Sequence, residues 1–251
     1  MTVKVRHITQ SKRAFVIAKK NIRIYYLKGP VITFGILMPV FLALAFSIGR
    51  NVSLSSLMPG LFAMTLFFTA TAVGPLIMPW ETTMRTLERL VSTPASLPAI
   101  ILGDVIASVI FGIIISVVPL VVGVFTGVTI ANFLILIVGM VIAAFCFSCL
   151  GELFSVPPTS MPAPVMMLAS VVRFPLVFIS GIFIPVEQLP GWGQAIALFS
   201  PLTYFTDLVR YATQGSGYFP VFVDIGMLIL FSAIFLFAAI IIHKRNLSKR
   251  F

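Results

Sequence analysis

Six stretches of this chain are apolar and almost free of charge: 31–49, 57–79, 98–125, 130–152, 163–184 and 219–242. Each is close to the roughly 20 residues a helix needs to cross a hydrocarbon core ~30 Å thick. Within each stretch the apolar residues run on continuously instead of alternating with polar ones. That pattern predicts helices and argues against the strands of a membrane barrel. The predicted fold class is an all-α integral membrane protein with six transmembrane helices, forming a single transmembrane domain over residues 1–251.

The segments between the runs have patterns of their own. In 10–28, Phe15, Ala18, Ile22 and Tyr25 recur at helical spacing, while Lys12, Lys19, Lys20 and Arg23 fall off that stripe. This predicts an amphipathic interfacial helix, ended by Gly29-Pro30. In 80–96, WETTMRTLERLVSTPAS, two glutamates and two arginines crowd between long apolar runs. Read as one helix, it places Trp80, Met84, Leu87 and Val91 on an apolar stripe and Glu81, Arg85 and Glu88 on a polar one. Glu81 then precedes Arg85 by four residues, the favourable order for a pair, and lies near a helix N-terminus, where negative charge is favoured. Pro94 stops that helix. The stretch 155–164 carries four prolines and reads as a stiff loop. The longest linker is 185–218.

Composition agrees with a membrane chain: 59% of residues are hydrophobic, only 10% are charged, and the mean hydropathy is +1.12. The net charge of +10 changes the picture through its distribution. Of 17 Lys and Arg, eight precede the first run, two (Arg85, Arg89) lie in 80–96, and four follow the last run. With six crossings these all fall on one side, the positive-inside pattern, which places both termini in the cytoplasm. The basic surface is then matched to anionic membrane lipid, and a nucleic-acid partner is not expected. The basic stretch before the first run is too long for a cleaved leader, so that run is expected to be a retained anchor.

Reactive groups are few. His7 and His243, the only histidines, lie in basic terminal segments, which leaves no H-E-x-x-H motif and no expected Ser–His pair. Cys146 and Cys149 form a C-x-x-C within the fourth run, where two small packing residues are expected in place of a redox pair. No metal site is expected. No G-x-x-x-x-G-K-[ST] exists, so this chain has no phosphate cradle for ATP. Of the ionisable groups only Arg173 lies deep in a run; Asp104 and Glu152 lie near run ends, where they can snorkel or pair. Arg173 costs about 2.5–3.5 kcal/mol on the insertion scale. It either faces a substrate pathway and meets an anionic group of the cargo, or it pairs with a carbonyl or with Glu152, or snorkels. Gly123-x-x-x-Gly127 would permit close helix contact.

Two stretches carry a family resemblance. Glu81 to Pro94, through Thr86, Glu88, Leu90, Thr93 and Pro94, resembles the first cytoplasmic loop of permease subunits of type-2 ABC exporters. Two positions depart from that pattern: Thr82 stands where the family usually has Arg, and Arg85 where it usually has Gly. Residues 179–210 resemble the family's stretch after its fifth helix, through Ser180-Gly181, Pro185, Leu189-Pro190, Trp192, Pro201-Leu202-Thr203-Tyr204 and Arg210. There the resemblance implies short re-entrant helices between helices five and six. The residues allow it: Gly181 permits close packing, Pro185 and Pro190 break the helix, Trp192 can anchor at the interface, and Asp207 can pair with Arg210 at i, i+3.

The resemblance implies that 80–94 is a coupling helix that docks in a cleft of a separate P-loop ATPase. Trp80, Met84, Leu87 and Val91 would pack there; Arg85, Glu88 and Arg89 would pair with the ATPase's charges. The implied complex has two permease subunits, homodimer or heterodimer, and two ATPases that hold ATP and Mg, while this chain binds no cofactor and is no enzyme by itself. The implied setting is the plasma membrane of a prokaryotic cell. The abundant Phe and the few charges lean toward a lipophilic or amphipathic cargo such as a drug, lipid or lipid-linked glycan, moved outward. An ion-coupled secondary transporter and a non-transporting scaffold remain the alternatives.

Overall fold

The computed structural model describes residues 2–25, 54–125 and 127–247, with isolated positions between 33 and 45. Among them every regular element is helical. In chain order these are α1 (Thr2–Tyr25), α2 (Leu54–Ala72), α3 (Gly74–Thr83), α4 (Thr86–Val91), α5 (Leu97–Phe125), α6 (Phe133–Phe154), α7 (Pro162–Ile179), α8 (Gly191–Ala197), α9 (Pro201–Gln214) and α10 (Val221–Asn246). A 3₁₀ turn, Val186–Gln188, precedes α8.

Among the described residues five helices are long and apolar enough to cross a membrane: α2 with α3 as one bent rod (Leu57–Thr83), α5, α6, α7 and α10. Their ends fall within a few residues of the expected runs, except that α7 stops at Ile179 instead of 184, because the chain turns through Gly181 at φ 81°. The span expected over 31–49 falls outside the described residues.

The bent rod is the centre of the bundle. Its apolar stretch is 94% buried, against 28% for α7 and 17% for α10. It packs along α5 and against α6 and α9, while α10 packs on α6 and α9. In a bilayer, lipid tails are as apolar as leucine, so helix association comes from close packing and polar contacts. Both are present. Phe67 meets Phe147 edge-on at 5.1 Å between ring centres, and Phe147 meets Phe205 at 5.8 Å. Each such pair contributes about 0.5–1.5 kcal/mol beyond area. Within α2, the Thr65, Thr69 and Thr71 hydroxyls donate to the Leu61, Thr65 and Phe67 carbonyls at 2.8, 2.6 and 2.7 Å, so these three buried or nearly buried hydroxyls are satisfied within the helix.

The expected N-terminal helix forms, but its buried face matches the stripe read from the sequence only in part, at Ala18 and the half-buried Ile22. Ala14, Ile17, Ala18 and Asn21 are buried, whereas Phe15 is 63% exposed. The reason is a close crossing: α1 lies on α5 at Gly103, where a Cβ would come within 2.8 Å of Ile17. Asn21 donates from Nδ2 to Asp104, so this buried carboxylate near the start of α5 pairs across helices. The side chain of Tyr25 falls outside the described residues.

Gly123 and Gly127 do not act as a pair. Gly123 faces Met58 of α2 within the same chain, and Gly127 takes φ 92° in the turn after α5.

Candidate coupling surface

The charged stretch at 80–96 is not one helix. Trp80 to Thr83 complete α3, which continues the membrane rod; the chain then turns at Met84-Arg85 and restarts as α4. Arg85 holds φ 52°, ψ 24°, the only positive φ outside glycine among the described residues. A Cβ is strained in this left-handed region by roughly 1–2 kcal/mol, and glycine, which has none, is not. Arg85 is also where the type-2 exporter pattern usually has Gly, which now has a backbone reason.

The turn splits the expected stripes. Leu87 is buried in a cluster with Ile17, Met78, Ile100, Ile101, Val105 and Cys149. Trp80 packs, half-buried, against Val73, Leu76, Ile77, Phe111 and Met166. Val91 is half-buried beside the Leu87 cluster. Met84, from the same expected stripe, is 67% exposed. Glu81 lies at the C-terminal end of α3 and not at a helix start, and it does not pair with Arg85. It is 2% exposed and forms a salt bridge with Lys20 of α1. The face left open consists of Met84, Arg85, Glu88 and Arg89, a large apolar side chain among three charges. Within α4, Glu88 falls in the first turn and Arg89 in the last, the arrangement the helix dipole favours.

This stretch is bolted to the rest of the chain along its length. Gln10 and Arg13 of α1 both donate to the Pro94 carbonyl, and Gln10 Oε1 accepts from the Ser96 amide at 3.0 Å. Thr83 Oγ1 donates to the Ser160 carbonyl in the turn before α7. Between α1 and residues 90–95 lies an open apolar groove of about 340 Å³, with Lys12, Val16, Leu90 and Pro94 on its walls.

The second motif, at the opposite end of the bundle, uses its polar groups internally. Asp207 accepts from the Tyr218 and Phe219 amides, both at 2.8 Å, and clasps the loop between α9 and α10. Arg210 donates to the Gly181 carbonyl. Asp207 and Arg210 thus each hold a partner farther off in the chain, while the Asp207 charge still acts on Arg210. Tyr204 donates to the Leu198 carbonyl at 2.8 Å, and its ring packs on Phe219 and Phe231. Pro185 caps the 3₁₀ turn, Pro190 caps α8, and Pro201 opens α9 at a position that needs no N–H. Trp192 points away, 69% exposed, as does Phe199. The Ala212 carbonyl accepts from the Ala131 and Asn132 amides at 2.8 and 3.1 Å, tying the α5–α6 turn to this cap.

Arg173 is fully enclosed. One of its nitrogens donates to the Thr71 carbonyl of α2, and its guanidinium carbon lies 5.6 Å from the centre of the Phe154 ring. Of the alternatives weighed for it, the carbonyl partner is the one the geometry presents. Sequence reading also excluded a Ser–His contact that exists: Ser155 Oγ and His243 Nε2 are 3.1 Å apart. The Ser155 hydroxyl donates to the Glu152 carbonyl at 2.7 Å, and both residues are buried, so this contact fastens the end of α6 to α10. Cys146 and Cys149 are buried free thiols in the core.

The sequence profile of the ABC-2 type transporter family matches residues 11–214, and the chain belongs to that family. It is a multi-pass membrane protein. Among curated relatives it is similar to the daunorubicin resistance ABC transporter permease protein DrrB1 of Streptomyces coeruleorubidus, 30% identical over 109 residues, which cover 43% of this chain and 35% of the relative. It is also similar to nodulation protein J of Rhizobium leguminosarum bv. viciae, 36% identical over 72 residues, 28% of each chain. The matched segments thus span about a third of each relative's length.

Proposed function

We propose that this chain is the permease subunit of an ATP-driven exporter and that Met84, Arg85, Glu88 and Arg89 form the face on which a separate P-loop ATPase docks. The observation that carries this reading is the open face itself: an exposed methionine among three exposed charges, on a turn bolted to α1 and continuous with the central membrane rod. Closure of an ATPase on this turn would move a lever whose other end is the core of the bundle. Family membership supports the same reading.

The finer features follow from it. The chain crosses a prokaryotic cell membrane six times with both termini in the cytoplasm. The exposed Lys12, Lys19 and Arg23 of α1 face anionic headgroups there. The region 185–218 is re-entrant from the outer side. Two permease subunits and two ATPases, which carry the ATP and Mg, make the complex. The cargo is a lipophilic or amphipathic molecule such as a drug, lipid or lipid-linked glycan; one relative is named for drug resistance.

The test is a mild-detergent pull-down of the tagged chain from its native membrane, with partners identified by mass. Recovery of a stoichiometric P-loop ATPase is expected. Repeated recovery of the chain alone from intact membranes would overturn the reading.

A further inference from the structure

In an unbroken α-helix the carbonyl of residue 71 accepts the N–H of residue 75. Residue 75 is Pro75, which has no N–H. The rod bends here, at Val73, between α2 and α3, and Leu76 and Ile77 both turn their amides to the Val73 carbonyl, at 3.0 and 3.1 Å. Thr71 is fully buried, and a bare carbonyl inside a membrane protein is costly. The missing donor arrives from another helix: Arg173 of α7 donates from Nη2 to Thr71 O. The third helix of this joint is α6, where a Cβ on Gly74 would come within 2.7 Å of the Gly151 backbone. Among the described residues Arg173 Nε and Nη1 have no hydrogen-bond partner, and the Phe154 ring lies against the guanidinium.

We infer that Arg173 is a positioning residue for transport: it grips the carbonyl that Pro75 frees, so that movement of the 80–91 turn at the end of α3 is passed to α7. An arginine suits this task better than a hydroxyl. Its two unused donors can take over the carbonyl as the rod bends and straightens, so the joint moves without leaving it bare. This accounts for a buried charge with no exposed atom, a position from which it cannot meet cargo on an open face. The inference rests on the exporter reading above.

The experiment is a double-mutant cycle. Arg173→Met removes the donors, Arg173→Lys keeps a single donor nitrogen, and Pro75→Ala gives the helix its own N–H back. Spin labels replace the exposed Phe178 and Phe222, and the complex with its co-purified ATPase is measured in nanodiscs with and without ATP. Thermal stability of each variant is read in parallel. Arg173→Met is expected to lower the ATP-shifted population about tenfold with Pro75 present and about twofold or less with Pro75→Ala, while Arg173→Lys keeps most of the shift. Equal losses in both backgrounds, no rescue by lysine, or an effect on stability without one on the shift would each overturn the proposal. If the unaltered chain shows no ATP-driven shift, the exporter reading falls and the inference with it. If the unaltered chain shifts and Arg173→Met shifts equally, only the inference falls.

Discussion

In 179–210 three polar side chains, Tyr204, Asp207 and Arg210, are spent inside the chain. Asp207 holds two backbone amides, Arg210 holds the Gly181 carbonyl, and Tyr204 holds the Leu198 carbonyl. Of the charged side chains in 80–94 only Glu81 is spent this way, on Lys20, while Arg85, Glu88 and Arg89 are exposed. Both stretches carry the family's pattern, yet the physical demands behind the two patterns differ. The first is a clasp that lets a broken helical region stay ordered. The second presents charge outward, where a partner can read it. Substitutions in the two regions should therefore fail differently, one in stability and the other in coupling.

The largest effect belongs to the open face. Glu88→Arg is expected to leave insertion and thermal stability unchanged while ATP-driven transport falls about a hundredfold or more, since breaking a charge pair desolvated at the interface costs ~3–5 kcal/mol. Transport by the reconstituted complex, beside a melting curve of the chain alone, checks this. Asp207→Ala should do the reverse. Two backbone amides lose their charged acceptor, and the chain is expected to lose about 2–3 kcal/mol of stability. The fraction that remains folded still recruits its ATPase, as pull-down yield per folded molecule will report. Lys20→Met leaves the Glu81 carboxylate buried without its cation and is expected to cost about 2 kcal/mol. It should also loosen α1 from the turn, read as faster proteolysis of the N-terminal helix. The smallest effect carries the opposite sign. Arg85→Gly relieves the left-handed strain and is expected to stabilise the chain by about 1 kcal/mol. If Arg85 serves the backbone more than the ATPase, transport survives that change; a large loss would assign its charge to the partner.

The described membrane helices were legible in the sequence because uncharged runs of membrane length have few other uses. Much of the site was legible only in part, because its contacts join residues far apart in the chain. Lys20 and Glu81 are separated by 61 positions, and Arg173 and Thr71 by 102. No local periodicity encodes such pairs. Reading 80–94 as one helix failed at Arg85, and the signal was available: a position where the family usually carries Gly invites a positive φ. Pro75, four residues after Thr71, likewise announced a freed carbonyl without saying which side chain would reach it. The α1 stripe misled for a different reason. Phe15 is more apolar than Ala14, but the crossing at Gly103 selects small side chains over greasy ones.

The most direct test of the docking face is photo-crosslinking in the native membrane from a benzophenone side chain placed at position 84, with the same probe at the exposed position 192 as its counterpart. Covalent capture of a P-loop ATPase from position 84 and not from position 192 is the predicted result. Capture of no ATPase from position 84, in membranes where the chain is intact and abundant, would contradict it.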